Sequence, residues 1–232
     1  MIKYIIALLF LSSFLSNAAV TWTGNAGTDI FDGGNYSGLA DGFTLGPNVT
    51  VEDDITFSNA TVTIPQVSAQ QRFQVASGFT MTVDGSNFSL SGGSNDGIGG
   101  APGSRLPAGP AGPTINIING SSLEAFFIVN GVQINVDGTS SVTLGGAGNP
   151  VNISSINLDT GATLSFTRET IAQFNTEHLS KITINGTAAQ EGLNFTIDAL
   201  GAGGSTITAI PEPSAGLLGA IGCIIFVLRR RR

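Results

Sequence analysis

The sequence predicts an all-β body wound as a right-handed parallel β-helix, with one short flanking helix and a C-terminal transmembrane helix beyond it. Three observations carry this. Glycine supplies 32 of 232 residues while only 11% are charged, a mixture rich in turns and poor in the charged faces of surface helices. Apolar and polar residues alternate over short runs, the period of a strand with one buried face. The alternation also repeats: Ile134-x-Val136 and Val142-x-Leu144 recur as Ile156-x-Leu158 and Leu164-x-Phe166, all four apolar positions displaced by 22 residues. An antiparallel β-sandwich is the alternative, because short strands separated by turn residues fit it too. The in-phase offset favours stacked units, which bury a continuous core only together.

Residues 1–18 read as a signal peptide. Lys3 precedes the apolar stretch Ile5–Leu15, and Ser16-Asn17-Ala18-Ala19 offers small residues, with cleavage expected at Ala18 and Ala19. The body then spans 19–209. Its opening, Val20-Thr21-Trp22-Thr23-Gly24 with Asn35-Tyr36-Ser37-Gly38, resembles that of autotransporter-type surface β-helices. The repeating unit is strand, Asx-Gly turn, strand. Looser copies stand at Val83–Leu90, with Asp84-Gly85, at Ile118–Leu123, with Asn119-Gly120, and at Ile184-Asn185-Gly186-Thr187. The turns Asp137-Gly138-Thr139 and Asp159-Thr160-Gly161 suit a positive φ.

Two segments interrupt the pattern. Residues 91–113 are rich in glycine and proline without apolar periodicity, and read as a loop protruding between turns. Between Arg168 and Leu179, Ile171, Phe174, His178 and Leu179 share one helical face and Thr167 can cap the start, which predicts the flanking helix.

Residues 210–232 read as a sorting signal. Pro211-Glu212-Pro213 holds the chain extended and removes backbone donors, a shape suited to a protease cleft. Ala215 to Leu228 is an uncharged run of 14 residues, short for a span that needs about 20. Flanking residues and snorkelling arginines extend it, and Arg229, Arg230, Arg231 and Arg232 are expected to remain cytoplasmic. The order Pro-Glu-Pro, glycine-containing apolar helix and arginine cluster resembles the PEP-CTERM sorting signal of exported proteins of Gram-negative bacteria. The match covers about the last tenth of the chain, with Ile210 where valine is the commoner residue. The resemblance implies an exosortase-like membrane processing enzyme as partner, passage through the inner membrane, and delivery to the cell surface or extracellular matrix.

Charge and chemistry narrow the function of the body. Arg72, Arg105, Arg168 and Lys181 stand against fifteen carboxylates between Asp29 and Asp198, an acidic balance that repels nucleic acid and anionic lipid. Cys223, the only cysteine, lies in the apolar tail, so the body has neither a disulfide nor a thiol nucleophile. The glycine-rich segment lacks the lysine of a phosphate-binding loop, and its single Asp96 does not make a calcium-binding repeat. Glu52-Asp53-Asp54 reads as a solvated turn. His178, the only histidine, reads as a packing or surface residue rather than the centre of a triad. No catalytic residue, cofactor or metal is expected. The expected role is structural or adhesive, with extracellular polysaccharide as a partner; a carbohydrate-binding module and a glycan-cleaving β-helix enzyme are the alternatives.

Overall fold

The computed structural model describes residues 20–38, 49–63, 71–90, 97–102 and 112–212. The chain is mostly β, in three sheets whose pairing is predominantly parallel. Inner strands of the first sheet run Val20–Trp22, Ile55–Ser58, Thr80–Asp84, Thr114–Ile118, Gln133–Val136, Ser155–Leu158 and Ile182–Ile184, each parallel to the next. The second sheet stacks Thr61–Thr63, Asn87–Leu90, Ser122–Ala125, Ser141–Leu144 and Thr163–Phe166 in the same manner. A third, all-parallel sheet holds Val49–Val51, Arg72–Val75, Gly97–Gly100 and Phe127–Val129. Antiparallel pairing, which a sandwich would need throughout, is confined to strands at the two ends of the stack.

The repeat in the sequence is the register of the stack. Ile134 pairs with Ile156, Val136 with Leu158, Val142 with Leu164 and Leu144 with Phe166. Each alternate residue points inward, so the pairing lines up columns such as Ile55, Met81, Ile115, Ile134 and Ile156, all buried. Burying one such side chain contributes about 1.5–3 kcal/mol, and β-branched side chains suit a pleated surface. This column of matched aliphatic residues is why parallel pairing wins.

Where the chain turns from first sheet to second, a ladder of buried serines replaces backbone pairing. The hydroxyl of Ser121 accepts the Ser86 amide at 3.0 Å and donates to the Val83 carbonyl at 3.0 Å. Ser86 serves Ala60 and Phe57 in the same way, and the Ser140 hydroxyl accepts the Ser121 amide at 3.1 Å. Backbone groups at a buried corner need partners, and a short hydroxyl satisfies one donor and one acceptor at once.

Several local expectations are corrected. The predicted loop 91–113 contains the strand Gly97–Gly100, buried at every residue and paired on both sides. It escapes the pattern because glycine is there for closeness: a Cβ on Gly99 would lie 2.0 Å from the Val129 carbonyl oxygen. Val83 pairs with Ile117 rather than Ile118, since the corner at Asn119-Gly120 holds one more residue than that at Gly85. Gly161 has the expected positive φ, 98°, but Gly138 does not; its lack of a side chain matters because a Cβ would meet the Thr160 carbonyl oxygen at 2.1 Å. The downstream copy at Ile184–Thr187 is a hairpin that closes the first sheet instead of a further turn.

The flanking helix is present but composite. Thr170, not Thr167, caps it, its hydroxyl accepting the Gln173 amide while the Gln173 side chain returns to the Thr170 amide. One α-turn, Ile171–Gln173, widens into a π-turn over Phe174–His178 and tightens into the 3₁₀ turn Leu179–Lys181. Phe174 and His178 are its buried residues, both on the one helical face the sequence predicts.

Candidate functional site

The predicted processing motif begins where the body ends. The last strand, Gly204–Ala209, pairs antiparallel with Thr163–Phe166 on one side and Phe195–Leu200 on the other. Ile210 donates its amide to the Asn194 carbonyl at 2.9 Å. Pro211 and Glu212 then leave the sheet exposed to solvent, because a proline brings no donor to continue a ladder. The Glu212 carboxylate accepts from the Thr187 hydroxyl at 3.2 Å. Pro213, the apolar run Ala215 to Leu228, Arg229 to Arg232, and the signal-peptide residues Ala18 and Ala19 lie outside the described residues. Among the described residues no helix is long and apolar enough to cross a membrane.

The outward faces of the sheets carry hydroxyls and amides. On the first sheet Asn135 donates to Asn116 at 2.9 Å and Thr183 to Asn157 at 3.0 Å. On the second, Ser122 donates to Asn87 at 2.8 Å, and Ser165 and Thr206 are joined at 3.0 Å. The large exposed hydrophobic residues among those described are Ile153, Leu193 and Leu200, none of them aromatic. The Glu52–Asp54 cluster forms a corner in which Asp54 accepts the Thr80 amide and Asp53 the Asp54 amide, so these carboxylates serve the backbone. A shallow cleft of about 340 Å³ beside Asn175, Leu179 and Ile182 is lined without a titratable side chain.

Titratable chemistry gathers elsewhere, where the stack stops. Glu169 leaves the strand Thr163–Phe166 by a short connection and is fully buried, as is His178 on the π-turn. The His178 ring stacks on Phe166, with centroids 5.0 Å apart and planes 6° from parallel. Glu169 accepts the Gly148 amide through Oε1, while its Oε2 and both ring nitrogens of His178 lack hydrogen-bond partners among the described residues. Each such buried, unmet group costs about 1–3 kcal/mol. Glu177, exposed, completes a triangle whose donor atoms all lie within 4.8 Å of one another.

Burial pushes the His178 imidazole down to about 4, helped by the nearby Lys181 charge. Burial raises the Glu169 carboxyl, with the Gly148 amide opposing and the Glu177 charge adding to the rise. Lys181 is lowered by burial against the pull of Glu177, and its ammonium donates to Asn149 at 2.7 Å.

Of the two places the sequence allows His178, packing or surface, it takes the buried one against Phe166, but its unmet nitrogens and its proximity to Glu169 are not legible there. Nothing in the spacing of 169, 177 and 178 is a ligand pattern. The usable signal is compositional: two carboxylates and the only histidine fall in one of the two segments where the strand repeat breaks. Arg168 stands over the Phe126 ring at 5.6 Å.

Comparison of the chain with protein-family models, curated proteins and solved structures returns no match.

Proposed function

We propose that this chain is an exported surface protein of structural or adhesive role, its body a right-handed parallel β-helix and its Pro211-Glu212-Pro213 segment the recognition point of an exosortase-like membrane enzyme. The observation that carries the reading is the geometry of exit. Ile210 is the last of these residues whose amide is tied to the body, and Pro211 and Glu212 follow at once, exposed. A protease that binds extended chain could take hold there without unfolding the sheet. The apolar run and arginines that follow would retain the precursor in the inner membrane until cleavage.

In-register parallel pairing through three sheets supports the β-helix, and the right hand follows from the strong preference of parallel crossovers. The body would be a stiff, acidic rod whose outer faces offer hydroxyls and amides, groups that hydrogen-bond with the hydroxyls of an extracellular polysaccharide. A carbohydrate-binding module that stacks sugars on aromatic rings is less well supported, because Trp22 is buried, packed edge-on against Tyr36 with centroids 5.1 Å apart.

Intact mass and terminal sequencing of the protein recovered from membranes and from the cell surface test this reading. A surface species starting near Ala19 and ending at Pro211 to Pro213 is expected. A mature surface species still carrying Arg232 would refute processing at this motif.

A further inference from the structure

We propose that Glu169, Glu177 and His178 form a binding site for a divalent transition-metal ion, with zinc(II) the best-suited probe. Two independent observations meet here. The carboxylate of Glu169, from the connection before the helix, meets the carboxylate and imidazole of the adjacent Glu177 and His178, with donor atoms within 4.8 Å of one another. Separately, Glu169 Oε2 and both His178 nitrogens are unpartnered in residues with no solvent exposure. A buried histidine beside a carboxylate ordinarily makes the hydrogen bond between them, and here that bond is absent although the groups are neighbours. A cation would satisfy Glu169 Oε2 and one ring nitrogen of His178 together.

The donor set selects the ion. Calcium takes six to eight oxygen ligands, and magnesium a near-ideal octahedron of them, more than two carboxylates supply. An imidazole nitrogen with carboxylate oxygens suits zinc, at bond lengths of about 2.0–2.2 Å. Two donors on a tetrahedral zinc at such bond lengths lie about 3.4 Å apart, so a pair at the 4.8 Å bound must close by about 1.4 Å. Exposed Glu177 can supply that adjustment by rotating, and its position at the surface is also the entry path. Glu169 is held through Oε1 by the Gly148 amide, which leaves Oε2 as its unpartnered oxygen. Glu177 and His178 both lie on the π-turn Phe174–His178, a turn type frequent at functional sites. The bound ion would tie the connection after the last in-register strand to the helix that covers the end of the stack.

The test is zinc titration of the full chain, prepared without a polyhistidine tag, followed by calorimetry and by nitrogen NMR of the ring of His178. Since the chain has one histidine, that signal is unambiguous. One zinc per chain is expected, with one ring nitrogen shifting on binding. Glu177→Gln, an exposed change that leaves the core intact, should weaken binding at least about tenfold, and Glu169→Gln similarly. Absence of a histidine shift with zinc, or binding undiminished in Glu177→Gln, would overturn the proposal.

Discussion

Two Asn-Gly pairs in this chain adopt the same local conformation and do opposite things. Asn119-Gly120 has φ angles of 58° and 74°, Asn185-Gly186 has 48° and 76°. After the first, the chain turns into a strand of the second sheet and stacks in parallel on both neighbours. After the second, it folds straight back into an antiparallel hairpin that ends the first sheet. A pair of left-handed residues is the preferred hairpin turn, so the second outcome is the one local chemistry favours. The first is imposed by context: Ser121 is captured between Ser86 and Ser140, and Leu123 between Phe88 and Val142. Stacked neighbours on both sides make a corner; the loss of one side makes an end.

The same division separates the two halves of the molecule's chemistry. The buried apolar residues from Ile115 to Leu164 are aliphatic and in register, and each buried serine of the ladder is hydrogen-bonded. The C-terminal end is aromatic and irregular, with Phe166, Phe174 and Phe195 in contact, and it carries the unmet polar atoms of Glu169, His178 and Ser205. Phe166 belongs to both, pairing with Leu144 in the stack and touching Phe174 and His178 beyond it. Phe166→Ala should therefore have the largest effect of any single change considered, a loss of about 3–5 kcal/mol by urea denaturation. Ile156→Val, a trim within the middle, should cost about 0.5–1.5 kcal/mol. Equal losses would mean that the end does not depend on the last turn, and the comparison would break.

A matched pair of serines sharpens it. Ser121 and Ser205 are both buried, yet Ser121 is bonded to both neighbouring turns while the Ser205 hydroxyl has no partner among the described residues. Ser121→Ala leaves the Ser86 amide unmet and should cost about 1–3 kcal/mol. Ser205→Ala removes a group whose desolvation is uncompensated, and should be neutral or slightly stabilising, within about 0.5 kcal/mol. Thermal unfolding of the two variants side by side reads the difference. A loss at Ser205 comparable with that at Ser121 would show that the end is as fully bonded as the middle.

This contrast also explains what can be read from the sequence. Where neighbouring turns present like residues, the offset between Ile134 and Ile156 is the pairing itself, so the register is legible in the order of residues alone. Where a strand is made of glycine, as at Gly97–Gly100, burial leaves no apolar signature and the third sheet stays hidden. The hairpin at Asn185 is illegible for a different reason: an Asx-Gly turn does not encode whether another turn will lie on top of it. The proposed processing motif is legible because it is a linear pattern, whereas the cluster at Glu169, Glu177 and His178 exists only once the π-turn folds over Phe166.

The most local expected effect concerns how the end is attached. Thr170 caps the helix in a reciprocal pair with Gln173 and is exposed, so nothing but the cap is lost on substitution. Thr170→Ala should cost about 1 kcal/mol. If the end frays independently of the middle, that loss will fall on local opening: amide exchange should quicken from Phe174 to Lys181, while the amides of Ile134 and Ile156 exchange as before. Uniform acceleration across both regions would instead mean that the cap and the stack unfold as one unit, and that the two halves differ in chemistry but not in cooperativity.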